Sequence, residues 1–245
     1  MAQRTALARQ DKRCENCPVR HHAVCSALGE ADHHELSDIM VHRHLTRGSL
    51  IIHQDEDSSL VAIILSGTIM LTSLLPDGRR QIVGLLSEGD TVGNVFSSFN
   101  DENAECITDV HLCCFSRKSF NAVLKSHPEL EHRLFQKGLE DLRDARQWMI
   151  ALGRKTALER VAAFLIWLQK KNQSSCLRQV GQNDFTTITL PLSRLEIGDF
   201  LGLTIETVSR TLTKLKSSGV IHLLGSREIE ICDPDELRRL AEPRE

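Results

Sequence analysis

Ser193-Arg-Leu-Glu-Ile-Gly-Asp-Phe-Leu-Gly-Leu-Thr204-Ile-Glu-Thr-Val-Ser-Arg-Thr-Leu-Thr-Lys-Leu-Lys216 reads as two helices joined by a tight turn. Ser193 followed by Glu196 is a capping-box start, in which hydroxyl and carboxylate each satisfy an unpaired amide. Gly202 ends the first helix cheaply, and Thr204 caps the second. Ile197, Leu201, Leu203, Val208, Leu212 and Leu215 form one apolar face across both helices and the turn. Glu206, Ser209, Arg210 and Thr213 are left on the opposite face of the second helix, with Thr204 and Thr207 at its start. A solvated amphipathic helix pair would show this periodicity. So would a DNA-reading helix-turn-helix, and the tight Leu-Gly-Leu-Thr turn favours the latter. Arg pairs with guanine O6 and N7, Glu accepts from cytosine N4, and Ser reaches a base or a phosphate.

Leu-Gly-Leu-Thr-Ile-Glu-Thr-Val-Ser-Arg resembles the recognition module of the CRP/FNR family of bacterial transcription regulators, with its Glu-x-x-Ser-Arg signature present as Glu206, Ser209 and Arg210. The rest of the chain can be read against that resemblance.

At 245 residues the chain is long enough for two modest domains and a connector. No apolar run is long enough to span a membrane, and the first ten residues lack the apolar centre of a secretory signal. A cytoplasmic protein is expected. The net charge of −3 does not announce nucleic-acid binding, but the halves differ. Residues 1–149 are net acidic and residues 150–245 net basic, which suits a C-terminal DNA-binding part without proving one. Eight cysteines in a cytosolic chain ask for metal, redox or burial explanations rather than disulfides. There is no nucleophile motif, no G-x-x-x-x-G-K phosphate loop and no HExxH, so nothing points to an enzyme.

Cys14-Glu-Asn-Cys17-Pro-Val-Arg-His-His-Ala-Val-Cys25 spaces three thiols as C-x2-C-x7-C. Sulfurs two residues apart converge across a turn, which Pro18 favours. Thiolates select zinc or iron–sulfur clusters. A CxxC is also compatible with a redox pair or half of a zinc site, and His21 and His22 keep zinc open. The pattern is similar to the cysteine cluster of FNR-type oxygen sensors, especially the FnrL/FnrN branch of alphaproteobacteria. There, three N-terminal cysteines and one distant cysteine hold a [4Fe–4S] cluster. The distant ligand would come from Cys106, Cys113, Cys114, Cys176 or Cys232. Cys176 and Cys232 lie too far along the chain. Val-His-Leu-Cys113-Cys114-Phe-Ser-Arg matches the strand end where the family places its ligand, so the resemblance assigns that role to Cys113. Strand alternation sends Cys113 and Cys114 to opposite faces, leaving Cys114 as a buried small residue. Cys106 stays a competitor.

Residues 29–45 suggest a short helix whose histidines, His33, His34, His42 and His44, read as surface. From about 46 to 120, short β-branched runs alternate with turn signals, among them Pro76-Asp77-Gly78, where proline presets one φ and glycine supplies the positive one. Regular short strands predict an antiparallel barrel or jelly roll, resembling the family's double-stranded β-helix sensor domain. Some family members bind a cyclic nucleotide there through a glycine–glutamate pair followed by Arg-Ser. Here the stretch is Val92-Gly-Asn94-Val-Phe-Ser-Ser-Phe-Asn100, so no cyclic nucleotide is expected. The loop at 75–79 matches the family's RNA polymerase contact, though a plain hairpin turn accounts for it equally well.

Residues 129–155 predict one long helix, with Gly138, Leu142, Ala145, Met149 and Leu152 recurring at coiled-coil spacing. The helix could pack on its own barrel. The family uses it as a homodimer interface, with Leu142, Ala145, Met149 and Leu152 as contacts, and two-fold DNA sites need a dimer. Gly153–Thr156 is the expected hinge. Thr156 and Glu159 form a second capping box before a helix from Ala157 to about Lys171, followed by a polar loop over 172–184. Thr186–Leu192 reads as a strand, and the residues after Lys216 as a small β wing.

The expected fold is α+β: an N-terminal cysteine segment (1–28), a β-roll sensor domain (29–128), a dimerisation helix (129–155) and a winged helix-turn-helix (156–245). The resemblance implies a homodimeric, DNA-binding regulator that recognises a TTGAT-like palindrome under the control of an oxygen-labile [4Fe–4S] cluster. A regulator holding zinc or redox thiols is the alternative.

Overall fold

The computed structural model describes residue 14 and residues 16–29, 32–57, 59–174 and 186–242. Cys176 and most of the expected polar loop lie outside the described residues. Two compact units divide the chain between Asp141 and Leu142, with Arg80–Ile82 grouped with the second. The division falls inside the long helix rather than at either of its ends.

In the first unit a 3-10 turn (Val24–Ala27) leads to α1 (His33–Ile39) and then to eight strands: β1 (Val41–Leu45), β2 (Leu50–Ile52), β3 (Leu60–Ser66), β4 (Ile69–Leu74), β5 (Arg80–Leu86), β6 (Thr91–Val92), β7 (Asn103–Cys106) and β8 (Val110–Ser116). They form two four-stranded sheets, ordered β1-β8-β3-β6 and β2-β7-β4-β5, the double sheet of a jelly roll. β8 pairs antiparallel with both of its neighbours, with Ile63 opposite Cys113 on β3 and His42 opposite Cys113 on β1. The turn at Pro76-Asp77-Gly78 closes as expected: the Leu75 amide donates to the Arg79 carbonyl at 2.9 Å, and Gly78 has φ of 84°.

β3 and β8 are buried on both faces and feed two cores. Ala62, Ile64, Leu112 and Cys114 pack between the sheets with Ile69, Ala104 and Cys106. Val61, Ile63, Cys113 and Phe115 face outward, under a cover made by Val19, Ala23 and Val24, by Leu36 of α1 and by Phe120 of α2 (Arg117–Ser126). A strand buried on both faces reads as an unbroken apolar run, which Leu60-Val-Ala-Ile-Ile-Leu65 is.

The histidine-rich stretch departs from expectation. The helix ends at Ile39, and His42 and His44 lie on β1. His33 is only 8% exposed, with Nδ1 2.6 Å from the Gly29 carbonyl, because α1 turns its His33, Leu36 and Ser37 side onto the outer core. His34 is exposed as expected.

α3 is one continuous helix, Pro128–Arg154, and α4 follows as Ala157–Ser174, longer than expected. Only Lys155 and Thr156 separate them, so the hinge is shorter than the sequence suggests. Thr156 and Glu159 do form the capping box, at 2.7 and 3.4 Å. Trp148 of α3 packs edge-on to Phe200 and Trp167, with ring centroids 4.7 and 5.8 Å away. The second unit continues with β9 (Thr186–Thr189), α5 (Arg194–Leu201), α6 (Ile205–Ser217), β10 (Ile221–Leu223), β11 (Glu228–Ile231) and α7 (Pro234–Ala241), the small sheet being ordered β10-β11-β9. This is a winged helix-turn-helix. Among the described residues, no helix is long and apolar enough to cross a membrane.

Two consequences follow for stability. His127, between α2 and α3, is 8% exposed, with Nε2 3.1 Å from Glu35 and Nδ1 3.2 Å from Glu129. Carboxylates at both ring nitrogens, chiefly Glu35, favour the protonated imidazole and raise its pKa above the ordinary 6.5. The stability it contributes is fully present below pH 6.5 and is lost as pH rises through the raised value. Denaturation of His127→Asn against wild type should therefore show its largest deficit in mildly acidic buffer, shrinking at alkaline pH; a deficit that grew with pH would contradict the clamp. Separately, a Cβ built on Gly198 would sit 2.5 Å from the Leu203 carbonyl oxygen, whereas one on Gly153 meets nothing within 4 Å. Gly198→Ala should cost about 1–3 kcal/mol in urea titration, while Gly153→Ala should gain about 0.5–1 kcal/mol; equal effects would refute the close approach.

Candidate metal centre and nucleic-acid interface

Three apolar residues fix the cysteine segment. Val19, Ala23 and Val24 are 1%, 1% and 3% exposed in the outer core. Tight turns run between them: Cys17 N to Cys14 O and Arg20 N to Cys17 O, both 3.3 Å, then Ala23 N to Val19 O at 2.9 Å. With its apolar residues plugged into the core, the segment turns Cys14, Cys17 and Cys25 toward the outward face of β8. There they and Cys113 line one cavity of about 220 Å³, walled by Leu36, Met40, Ile63 and Phe115. Cys113 Sγ lies 3.4 Å from Met40 Sδ.

The electrostatics follow from that convergence. Burial, then the neighbouring Cys17 and Cys14, pushes the Cys25 thiol up to about 12. Burial and then Cys14, Cys17 and Cys25 drive Cys113 up as well. Cys14 and Cys17 are raised chiefly by burial. Four thiols that resist ionising together in one apolar pocket are a donor set that a cationic centre completes, with protons released as it binds. Thiolates in this number suit zinc or an iron–sulfur cluster, and the set therefore fits either.

The competing cysteines are placed elsewhere. Cys106 and Cys114 belong to the core between the sheets, on the other side of β8 and β3 from Cys113. Burial followed by Glu105 raises Cys106, to about 11, and none of the four converging thiols contributes. Cys232 lies just beyond β11. The sequence had not shown that histidines border the thiol cavity: His33, His42 and His111 line it, and His42 Nδ1 is 2.9 Å from His111 Nε2. The signal was available in the alternation of β1 and β8, which puts His42, His111 and Cys113 on one face.

In the second unit α5 and α6 make the predicted turn. The Ser193–Glu196 capping box is complete. Gly202 closes α5 in the left-handed conformation at φ 62°, which only glycine adopts without strain. Thr204 caps α6, its Oγ1 accepting from the Thr207 amide at 3.3 Å. Val208, Leu212 and Leu215 are buried, while Glu206, Arg210 and Thr213 are exposed and Thr207 and Ser209 partly so. The Glu206 carboxyl is held below the usual range by its own amide at the helix start, by Thr204 and by Arg210. Arg210 Nη2 donates to Thr207 Oγ1 at 3.5 Å, so the exposed residues already form one row. Two arginines were missed in the sequence. Arg194 Nη1 donates to Ser209 Oγ at 3.3 Å, and Arg160 donates to the carbonyls of Leu201 and Lys155, both at 2.9 Å. The i, i+3 and i, i+4 pattern of one helix carries no information about such contacts between helices.

Of the expected dimer contacts, Leu142, Ala145 and Met149 are exposed and Leu152 is half-buried. Phe135, Leu139 and Ile150 of α3 are exposed too. A separate cavity of about 430 Å³ in the jelly roll is lined by Asp90, Asn94, Phe96, Phe99, Lys137 and Asp141. Lys137 Nζ is shared between Asp90 at 2.9 Å and Asp141 at 3.1 Å. Asn94 Oδ1 is taken by the amides of Phe96 and Ser97, at 3.1 and 2.9 Å.

Comparison with known proteins agrees with this architecture. Residues 42–127 match the model of the cyclic nucleotide-binding domain, and residues 159–240 match the Crp-like helix-turn-helix domain. A probable transcriptional activator of Rhizobium leguminosarum bv. viciae is 40% identical over 227 residues, 93% of this chain and 92% of that protein. The transcriptional activator protein FnrL of Cereibacter sphaeroides is 38% identical over 221 residues, covering 90% of this chain and 88% of its own. Among solved structures, FixK2 from Bradyrhizobium japonicum superposes with a TM-score of 0.75 at 31% identity, over 84% of this chain and all of that one. With relatives this similar along nearly their whole length, and with both domains matched, the chain belongs to the CRP/FNR family, whose members are DNA-binding transcription regulators and not enzymes.

Proposed function

We propose that the protein is an oxygen-responsive transcription activator whose DNA binding is controlled by a [4Fe–4S] cluster held on Cys14, Cys17, Cys25 and Cys113. The observation that carries this reading is the convergence of three thiols from the N-terminal segment with one from β8 on a single apolar cavity. Similarity to FnrL and to activators of the same kind supports it. A cluster at that position would supply a centre labile to oxygen. The chain's own part is mechanical: Val19, Ala23 and Val24 anchor the cysteine segment in the outer core, and loss of the metal-held cross-link to Cys113 would leave that segment less firmly held.

The homodimer would form along α3. Phe135, Leu139, Leu142 and Met149 are 62%, 46%, 45% and 72% exposed on one helix, spaced by four, three and seven residues as a coiled-coil seam requires. Leu142 and Met149 belong to the seam expected from sequence. Arg146 falls in the gap between them, which weakens the row and keeps the balance within reach of a regulatory signal of a few kcal/mol. Glu206, Ser209 and Arg210 would read a TTGAT-like half-site, with Thr204, Thr207 and Thr213 beside them, and the turn at 75–79 would meet RNA polymerase. No cyclic nucleotide is expected in the jelly roll. Asn94 is committed to backbone amides there, and the Lys137 charge is already neutralised by two carboxylates.

Replacing Arg210 by Ala should remove specific site binding, a loss of about 1–3 kcal/mol per base contact, while leaving sedimentation of the dimer unchanged; normal site affinity would overturn the recognition assignment. Wild-type binding should weaken steeply with salt. Iron analysis of anaerobically purified Cys113→Ser should find the cluster lost, with Cys106→Ser and Cys114→Ser retaining it. Full iron in Cys113→Ser would reject Cys113 as a ligand, and zinc in place of iron throughout would favour a zinc-holding regulator.

A further inference from the structure

We propose that the wing carries a binding site for a borderline divalent metal ion of the zinc class, formed by His222, Glu230 and Cys232. β10 and β11 are antiparallel, with His222 directly opposite Glu230. Cys232 lies two residues beyond Glu230, so the two-residue period puts all three on one side of the hairpin. The other side is the core: Ile221, Ile229 and Ile231 are no more than 1% exposed. The opposite face, with His222 exposed and Glu230 and Cys232 half-buried, gathers an imidazole, a carboxylate and a thiol.

Their ligand atoms all lie within 4.8 Å of one another. His222 Nδ1 and Glu230 Oε2 are 3.3 Å apart. Zinc bonds to nitrogen and oxygen of about 2.0–2.2 Å at a tetrahedral angle put such atoms about 3.4 Å apart. The Cys232 sulfur has at most about 1 Å to close. Its backbone is fixed, since the Cys232 amide donates to the Val220 carbonyl at 3.0 Å, and the Leu224 amide closes the hairpin on Glu228 O at 3.0 Å. The donor set selects the ion. Calcium and magnesium take oxygen ligands, whereas one nitrogen, one oxygen and one sulfur suit zinc, with water completing the tetrahedron. The His222 side chain is 62% exposed, so the ion has an open approach from solvent. Once bound, it would tie β10 to β11 and stiffen the wing beside the recognition helix. None of this depends on the iron–sulfur reading, because the four converging thiols lie in the other unit.

The test is site-resolved alkylation of the full-length protein. Iodoacetamide labelling of Cys232, followed by peptide mass spectrometry, should slow about tenfold on adding zinc, because a metal-held thiolate must first be released. His222→Ala, a change at an exposed position, should abolish that protection while leaving labelling of the N-terminal cysteines as in wild type. Equal Cys232 labelling with and without zinc would overturn the site, and so would protection that persists in His222→Ala.

Discussion

The pleat of β8 is the constraint on which the candidate site depends. Adjacent cysteines at 113 and 114 point to opposite faces of one strand, and the strand is pinned on both edges, by β1 and by β3. Cys113 therefore joins the outer core with Ile63 and Phe115, and Cys114 joins the inner one with Ile64 and Leu112. A slip of one residue would exchange the two and carry every other side chain of β8 with them. Such a slip would turn Phe115 and Leu112 into the wrong cores, so the ordinary apolar packing of the strand holds the register of a chemically special residue.

The same economy appears in the winged domain. The recognition helix is placed by a close contact that leaves no room for a side chain at Gly198, by the left-handed turn at Gly202 and by the Thr204 cap. Arg160, bonded to carbonyls at Leu201 and Lys155, ties the end of α5 to the short hinge. These contacts all lie within the winged domain. They leave Glu206, Arg210 and Thr213 exposed together on the outer face of α6.

Much of this was legible in the sequence because it rests on short-range rules. The capping boxes, the Pro-Asp-Gly turn, the period of α6 and the alternation at Cys113 and Cys114 involve residues within four positions of one another. The resemblance to a known family supplied the choice of Cys113 over Cys106, and the structure places Cys106 in the other core. What was not legible depends on distant packing. His33 looks like one more polar histidine until α1 folds onto the outer core, and His42 comes near the thiols only through β1 pairing with β8. Arg194 reaches Ser209 across two helices. Residues 153 and 154 belong to the expected hinge, yet the helix runs through them, since one glycine costs only about 1 kcal/mol in a helix otherwise held by its neighbours.

On the reading proposed above, the four converging thiols hold an oxygen-labile centre that governs DNA binding. The most direct measurement is the iron and sulfide content and visible spectrum of protein purified without oxygen, with affinity for a TTGAT-like palindrome measured before and after exposure to air. A [4Fe–4S] regulator should be brown, with about four irons per chain, and should bleach in air and release DNA as it does so. A colourless protein whose DNA affinity is the same in both conditions would contradict it.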